Sequence, residues 1–76
     1  MINYFIRPGG AYVRINTDTQ VVSLVLNVPT QKTLSAIIDN AEYYNNTVSA
    51  SATWTVTDQA TYDANKTEVS NYLNSL

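Results

Sequence analysis

The chain contains no cysteine and no histidine, and it has only 76 residues from which to build a core. A domain of this size buries only about 60% of the surface that its unfolded chain exposes. Small domains commonly compensate with disulfides, structural metal ions or association with a partner. Disulfides and nearly all zinc arrangements are excluded here by composition. The chain therefore depends on close internal packing or on stabilisation by a bound partner.

The same absences exclude nucleophilic catalysis of the Ser–His or Cys–His kind. Asp39 and Glu42 are close in sequence, and we interpret them as a turn residue and a solvated residue, not as an acid–base pair. Residues 63–68 alternate like the start of a calcium loop, but the sixth position is not glycine and Asn74 occupies the twelfth. We therefore expect no enzymatic activity, no cofactor and no metal site.

Charge is sparse, because only 13% of the residues are charged and the formal net charge is −2. Four scattered basic residues do not form the basic face that nucleic acids require, and there is no Lys/Arg-rich amphipathic helix for a membrane surface. Ten Thr, nine Asn and six Ser supply the polar surface instead. A neutral surface of this kind suits a protein at high local density in an assembly. Without a secretory signal pattern, we expect synthesis in a cytoplasm and no secretion.

Alternating apolar residues predict a three-stranded antiparallel meander over about 2–7, 11–16 and 21–28. The tetrapeptide Arg7-Pro8-Gly9-Gly10 predicts the first turn, with Pro8 in the second position and a positive φ at Gly9. The second connection, 17–20, is polar and of hairpin length. In the third strand, Val22, Leu24, Leu26 and Val28 form a fully apolar face.

Period-two alternation also predicts a strand over about 47–56, whereas 33–38 fits either a strand or one helical turn. We expect 43–46 to be a loop with exposed aromatic residues. A C-terminal helix over about 59–75 follows, with Thr57 or Asp58 as its N-cap. Its apolar stripe consists of Tyr62, Val69, Leu73 and Leu76. The chain thus reads as a single α+β domain, 1–76, in which a small antiparallel sheet is packed by the C-terminal helix.

The aromatic and arginine residues indicate a protein-binding surface, because these residue types are enriched at interfaces. Tyr4, Trp54 and Tyr62 fit core positions. If the helix covers the Val22 face, the opposite sheet face needs a second cover, from 47–56 or from another chain. We predict an exposed stripe on that face, with Val21 and Val25 behind it, and an aromatic loop. The interface candidates are Phe5, Arg7, Tyr12, Arg14, Tyr43 and Tyr44.

The chain resembles small structural proteins of tailed bacteriophages, particularly those that infect cyanobacteria and marine bacteria. The resemblance lies in the strand pair joined by Arg7-Pro8-Gly9-Gly10, the Thr/Asn/Ser-rich middle and the closing helix 60–73. It implies a capsid decoration (cement) protein in the virion, or a minor tail, fibre or baseplate component. The implied partners are the major capsid protein, other virion proteins or further copies of the chain. A small regulatory protein that binds a host enzyme is the alternative.

Overall fold

The computed structural model describes residues 1–26, 36–39 and 43–75. These residues form one five-stranded antiparallel sheet, with the strand order β4-β3-β2-β1-β5, and two helices. The α+β class, the N-terminal meander and the packed C-terminal helix are confirmed. In chain order the elements are β1 (Ile2–Ile6), β2 (Tyr12–Asn16), β3 (Val21–Leu26), β4 (Ala36–Asp39), α1 (Tyr44–Ser51), β5 (Thr55–Thr57) and α2 (Gln59–Asn74).

The turn between β1 and β2 has the predicted conformation. Gly9 adopts a φ of 96°, and the backbone N–H of Gly10 donates to the carbonyl of Arg7 at 2.9 Å. Gly10 also has a positive φ, 98°. On the far side of the turn, the Arg7 N–H donates to the carbonyl of Ala11 at 2.8 Å. Two consecutive positive φ values are readily adopted only by glycine. The turn therefore fixes which residues of β1 and β2 face each other.

The two faces of the sheet carry separate apolar clusters. On one face Val13, Ile15, Val22 and Leu24 are buried, and Phe5, Tyr44 and Trp54 pack against them. On the other face Val25 packs with Tyr62 and Val69 of α2, and the partly buried residues Tyr4, Tyr12, Ile37 and Leu73 surround them. The first face is called the α1 side below, and the second the α2 side.

The predicted strand over 47–56 is wrong, because α1 occupies its first half, up to Ser51, and the strand β5 begins only at Thr55. The alternation from 49 to 52 is built from Ser and Ala, and alanine is the best helix former and is depleted in strands. The predicted aromatic loop is wrong in part, since Tyr44 begins α1 while Tyr43 precedes it. Within 33–38 the described part is a strand, β4.

The C-terminal helix packs on a different sheet face from the one considered in the sequence. Its buried residues, Tyr62 and Val69, contact Val25, whereas Val22 and Leu24 lie on the α1 side. The predictions for residues 27–35, 40–42 and Leu76 lie outside the described residues. Among the helices that the structure describes, none has the length and apolar content needed to span a membrane.

Asp58 is the N-cap of α2, which decides between the two predicted candidates. Its Oδ1 accepts a hydrogen bond from the Thr61 backbone N–H at 2.7 Å, and this bond lowers the pKa of the Asp58 carboxyl. A carboxyl with a lowered pKa in the folded state stabilises the fold above its unfolded-state pKa. That contribution is lost as the pH falls from about 4 through the folded-state value.

We therefore expect the melting temperature to fall on acidification more steeply in the wild type than in Asp58→Asn. Asparagine keeps a capping oxygen but does not titrate. Circular dichroism melts from neutral pH to about pH 3 measure the difference. Glu68→Gln, at an exposed position of α2, is the control for a general loss of one carboxylate. Parallel curves for the wild type and Asp58→Asn would contradict the assignment of the cap.

Candidate functional site

The α1 side carries an uninterrupted apolar row across all five strands. The strand register places Val56, Phe5, Val13, Leu24 and Ile38 next to one another, from β5 through β1, β2 and β3 to β4. Cross-strand neighbours in an antiparallel sheet point to the same face. The row begins and ends on the two edge strands of the sheet.

The chain covers the middle of this row but leaves its ends exposed. Five strands span about 19 Å between the outer two, whereas an eight-residue helix is about 12 Å long and about 10 Å wide. The Trp54 ring packs edge-on against Phe5, with centroids 6.4 Å apart and planes at 75°. Val13 is fully buried, but Val56 is 75% exposed and Ile38 38%.

Helix α1 adds further apolar surface because it buries hydroxyl groups against the sheet. Thr47 and Ser51 are its buried residues, and their hydroxyls donate to the backbone carbonyls of Tyr43 and Val48. The larger apolar side chain, Val48, is instead 39% exposed, and Tyr43 is 84% exposed. Neither α1 nor β5 contains a charged residue. Helix α1 and strand β5 thus present a neutral, partly apolar surface to solvent.

The predicted stripe of Phe5, Arg7, Tyr12 and Arg14 is not a single surface. The turn pairs Ile6 with Tyr12 and Phe5 with Val13, so Phe5 and Tyr12 point to opposite faces. The prediction placed Phe5 of β1 on the same face as Tyr12 and Arg14 of β2. The five-residue connection from 7 to 11 instead pairs odd-numbered residues of β1 with odd-numbered residues of β2, so Phe5 lies on the opposite face from Tyr12 and Arg14. Phe5 lies on the α1 side, and Tyr12 and Arg14 lie under α2.

The other candidates also separate. Val25, expected behind the stripe, is fully buried under α2. Arg7 is half-buried at the start of the first turn. Tyr44 packs inward on the Val13 cluster, and its neighbour Tyr43 points to solvent. Of the six candidates, Tyr43 alone is exposed, whereas the other five are half-buried.

The α2 side contains a polar row that the sequence analysis missed. Thr57, Tyr4, Arg14, Ser23 and Asp39 are successive cross-strand neighbours from β5 to β4. Ser23 is 4% exposed, and its hydroxyl donates to Asp39 Oδ1 at 2.8 Å. The polar residue within each strand was visible in the sequence, but their alignment depends on the register of four strand pairs.

A cleft of about 480 Å³ opens between this polar row and α2. The floor is formed by residues of the row, and α2 contributes residues at helical spacing to the wall. Each apolar residue buried at one of these floor or wall positions would contribute about 1.5–3 kcal/mol to stability. The polar residues there therefore forgo a contribution that would be substantial for a domain of this size. The lining residues are Ile2, Tyr4, Arg14, Ser23, Asp39, Gln59, Tyr62, Asp63 and Lys66.

Tyr62 joins the cleft to the core. Its ring lies 5.3 Å from that of Tyr4, centroid to centroid, at 52°. Burial raises the pKa of Tyr62 to about 12, and the charges of Arg14 and Asp39 act on it in opposite directions. The phenol therefore stays neutral and can donate or accept a hydrogen bond at physiological pH.

Asn65 lies on the other flank of α2, where a second, more open cleft of about 430 Å³ also borders Tyr12. The amide nitrogen of Asn65 is buried and has no hydrogen-bond partner among the described residues. An unsatisfied buried donor costs about 1–3 kcal/mol. Asn65 also interrupts the apolar stripe between Tyr62 and Val69.

Replacing Asn65 by leucine is therefore expected to raise the free energy of unfolding by about 1–2 kcal/mol. Urea denaturation followed by circular dichroism measures the change. Asn71→Leu is the matched control, because Asn71 is exposed on the same helix and should change stability by less than about 0.5 kcal/mol. Equal effects of the two substitutions would show that helix propensity, and not the buried amide, is responsible.

Within the described residues, no cluster of three or more Asp and Glu side chains could hold a metal ion. Comparison of the chain with protein-family models, with curated proteins and with solved structures found no match.

Proposed function

We propose that this protein is a non-enzymatic binding protein, and that it acts as a bacteriophage capsid decoration (cement) protein docking through its α1 side. The observation that carries the proposal is the group of four large apolar side chains, Val56, Ile38, Val48 and Tyr43, which are exposed on that one side. Single exposed apolar residues are ordinary. These four are spread over the α1 side, with Val56 and Ile38 on its two edge strands, and a partner that covers the whole side would bury all four.

The chemistry of this surface favours protein over nucleic acid or membrane as the partner. Helix α1 and strand β5 carry no charge, and charged residues are depleted at the centres of protein interfaces. Two of the four basic residues, Arg14 and Lys66, line the cleft on the opposite side of the sheet. Among the described residues only Arg7 is then left to give the α1 side a positive charge, which is less than the basic face that a polyanion requires.

Docking on a shell would complete the cover of the apolar row. Val56 and Ile38 extend beyond α1 and Trp54 at the two sheet edges, and a neighbouring capsid subunit would bury them. Burial of apolar surface supplies the main favourable free energy of such association. Because binding to the folded state stabilises it, the small core of the decoration protein would gain stability from the same contact.

The proposal is tested first on purified phage particles that encode this chain. Quantitative mass spectrometry is expected to find it at a defined high copy number relative to the major capsid protein. Presence at a few copies in tail fractions would assign it to a tail, fibre or baseplate. Absence from particles, together with one stoichiometric host enzyme in a pull-down, would replace the proposal by a regulatory role.

The docking surface is tested by adding the recombinant protein back to particles stripped of it. Val48→Asp places a charge in the proposed interface and is expected to weaken binding by tenfold or more, because the charge loses its hydration. Asn71→Asp adds the same charge at an exposed position of α2 and should bind like the wild type. Equal loss in both variants, with both folded by circular dichroism, would contradict docking through the α1 side.

A further inference from the structure

We propose that the cleft between α2 and the polar row binds a small zwitterion of the amino-acid class, its carboxylate held by Arg14 and Lys66 and its ammonium by Asp39. This site lies on the opposite side of the sheet from the proposed docking surface, so the two proposals stand independently.

Two positive groups line the cleft, and neither is ion-paired with a described residue. Arg14 is half-buried on the cleft floor and Lys66 lies on the α2 wall. No carboxylate among the described residues lies within ion-pair distance of either one. A guanidinium removed partly from water favours an anionic partner, and its planar fork matches the two oxygens of a carboxylate. A carboxylate on a ligand would therefore supply the counter-charge that no described residue gives to Arg14 and Lys66.

The anionic half of the site lies two strands away. Asp39 is held in place by the hydrogen bond from Ser23 to its Oδ1, which leaves its second oxygen available to accept from a ligand. Two strand spacings separate the Arg14 and Asp39 backbones by about 10 Å, and Ser23 stands between them. A ligand whose carboxylate and ammonium are borne on one carbon fits between two such side chains.

The overall charge and the aromatic wall agree with a zwitterion. The cleft contains two cations and two anions, Asp63 being the second anion, so a polyanion or a polycation would be repelled by one half. Tyr4 is half-buried and lines the cleft beside the polar groups, and an ammonium is attracted to the face of a tyrosine ring. The cleft volume of about 480 Å³ falls in the range of small-molecule sites.

The test is a titration of the ¹⁵N-labelled full chain, followed by backbone amide shifts. Each of the twenty common amino acids is titrated separately, with propionate, ethylamine and glucose as probes for the anion, the cation and a neutral polar ligand. At least one amino acid is expected to give saturable shifts at Arg14, Ser23 and Asp39, with an affinity at least tenfold above that for propionate or ethylamine.

Arg14→Gln and Asp39→Asn are each expected to reduce that affinity about tenfold or more, since each removes one charge-assisted contact. Lys66→Gln, on the exposed helix surface, provides a third variant that should fold even if a sheet variant does not. Glu68→Gln, outside this cleft, should bind like the wild type. The proposal is overturned if no amino acid saturates, if propionate or glucose binds as well, or if the folded variants bind unchanged.

Discussion

Replacement of Tyr62 by alanine is expected to leave much of the protein unfolded at 25 °C. Tyr62 is 2% exposed and packs with Val25, Val69 and the ring of Tyr4. Truncation of a large aromatic residue in a core costs about 3–5 kcal/mol. A domain of this size rarely has more net stability than about 3–5 kcal/mol. The substitution therefore removes most or all of the free energy that favours the folded state.

Urea denaturation, followed both by circular dichroism and by the fluorescence of Trp54, measures this effect. Trp54 lies on the α1 side, so the two signals report whether loss of the α2 contacts unfolds the whole domain. Tyr62→Phe is the control, because it keeps the ring and should cost no more than about 1.5 kcal/mol. A Tyr62→Ala variant with a midpoint near that of the wild type would show that α2 is not held by this side chain.

The wild type and Tyr62→Phe together also test the titration of the Tyr62 phenol. The pKa of Tyr62 is raised by burial to about 12, so the folded state disfavours the phenolate. A group whose pKa is raised on folding stabilises the fold below its unfolded-state pKa and loses that effect as the pH rises through the folded-state value. The wild type should therefore lose stability between about pH 10 and pH 12, and Tyr62→Phe should lose less over that interval.

Replacement of Trp54 by alanine is expected to lower the free energy of unfolding by about 2–3 kcal/mol, which is less than the cost of truncating a fully buried aromatic residue. Trp54 is half-buried, so part of its surface is already in water in the folded state. It packs edge-on against Phe5 and covers the middle of the apolar row. Its removal should also expose the sheet beneath it and increase the binding of a hydrophobic dye to the folded protein.

Denaturant titration by circular dichroism and dye fluorescence at low protein concentration measure the two effects. Tyr43→Ala is the matched control, because it removes an aromatic side chain that is 84% exposed on the same side of the molecule. Its expected cost is within about 0.5 kcal/mol. A Trp54→Ala variant that is no less stable than Tyr43→Ala would mean that Trp54 does not seal the α1 side.

Some of the fold follows from interactions between residues that are close in sequence. The positive φ of Gly9 and the N-cap at Asp58 require only the residues within one turn. The alternation of the meander strands and the stripe of α2 depend on the period of each element. These features were predicted, with the N-cap left open between Thr57 and Asp58, because the physics that determines them acts over a few residues.

Residues 47–56 show where local patterning fails. Alternating Ala and Ser satisfy the period of a strand while favouring a helix, and the tertiary contacts decide between the two. Thr47 and Ser51 lie one helical turn apart and face the sheet, and Thr55–Thr57 pairs with β1. Neither contact can be read from the segment itself, because both partners are distant in the sequence.

The sequence by itself determined the α+β class, the meander, the first turn, the capped C-terminal helix and the core positions of Tyr4, Trp54 and Tyr62. The tertiary structure alone decided which residues share a face. The connection from 7 to 11 fixes which residues of β1 pair with which residues of β2, and it thereby places Phe5 and Tyr12 on opposite faces of the sheet. Because one residue of register exchanges the two faces of a strand, both the apolar row and the polar row exist only once all the strand pairs have formed.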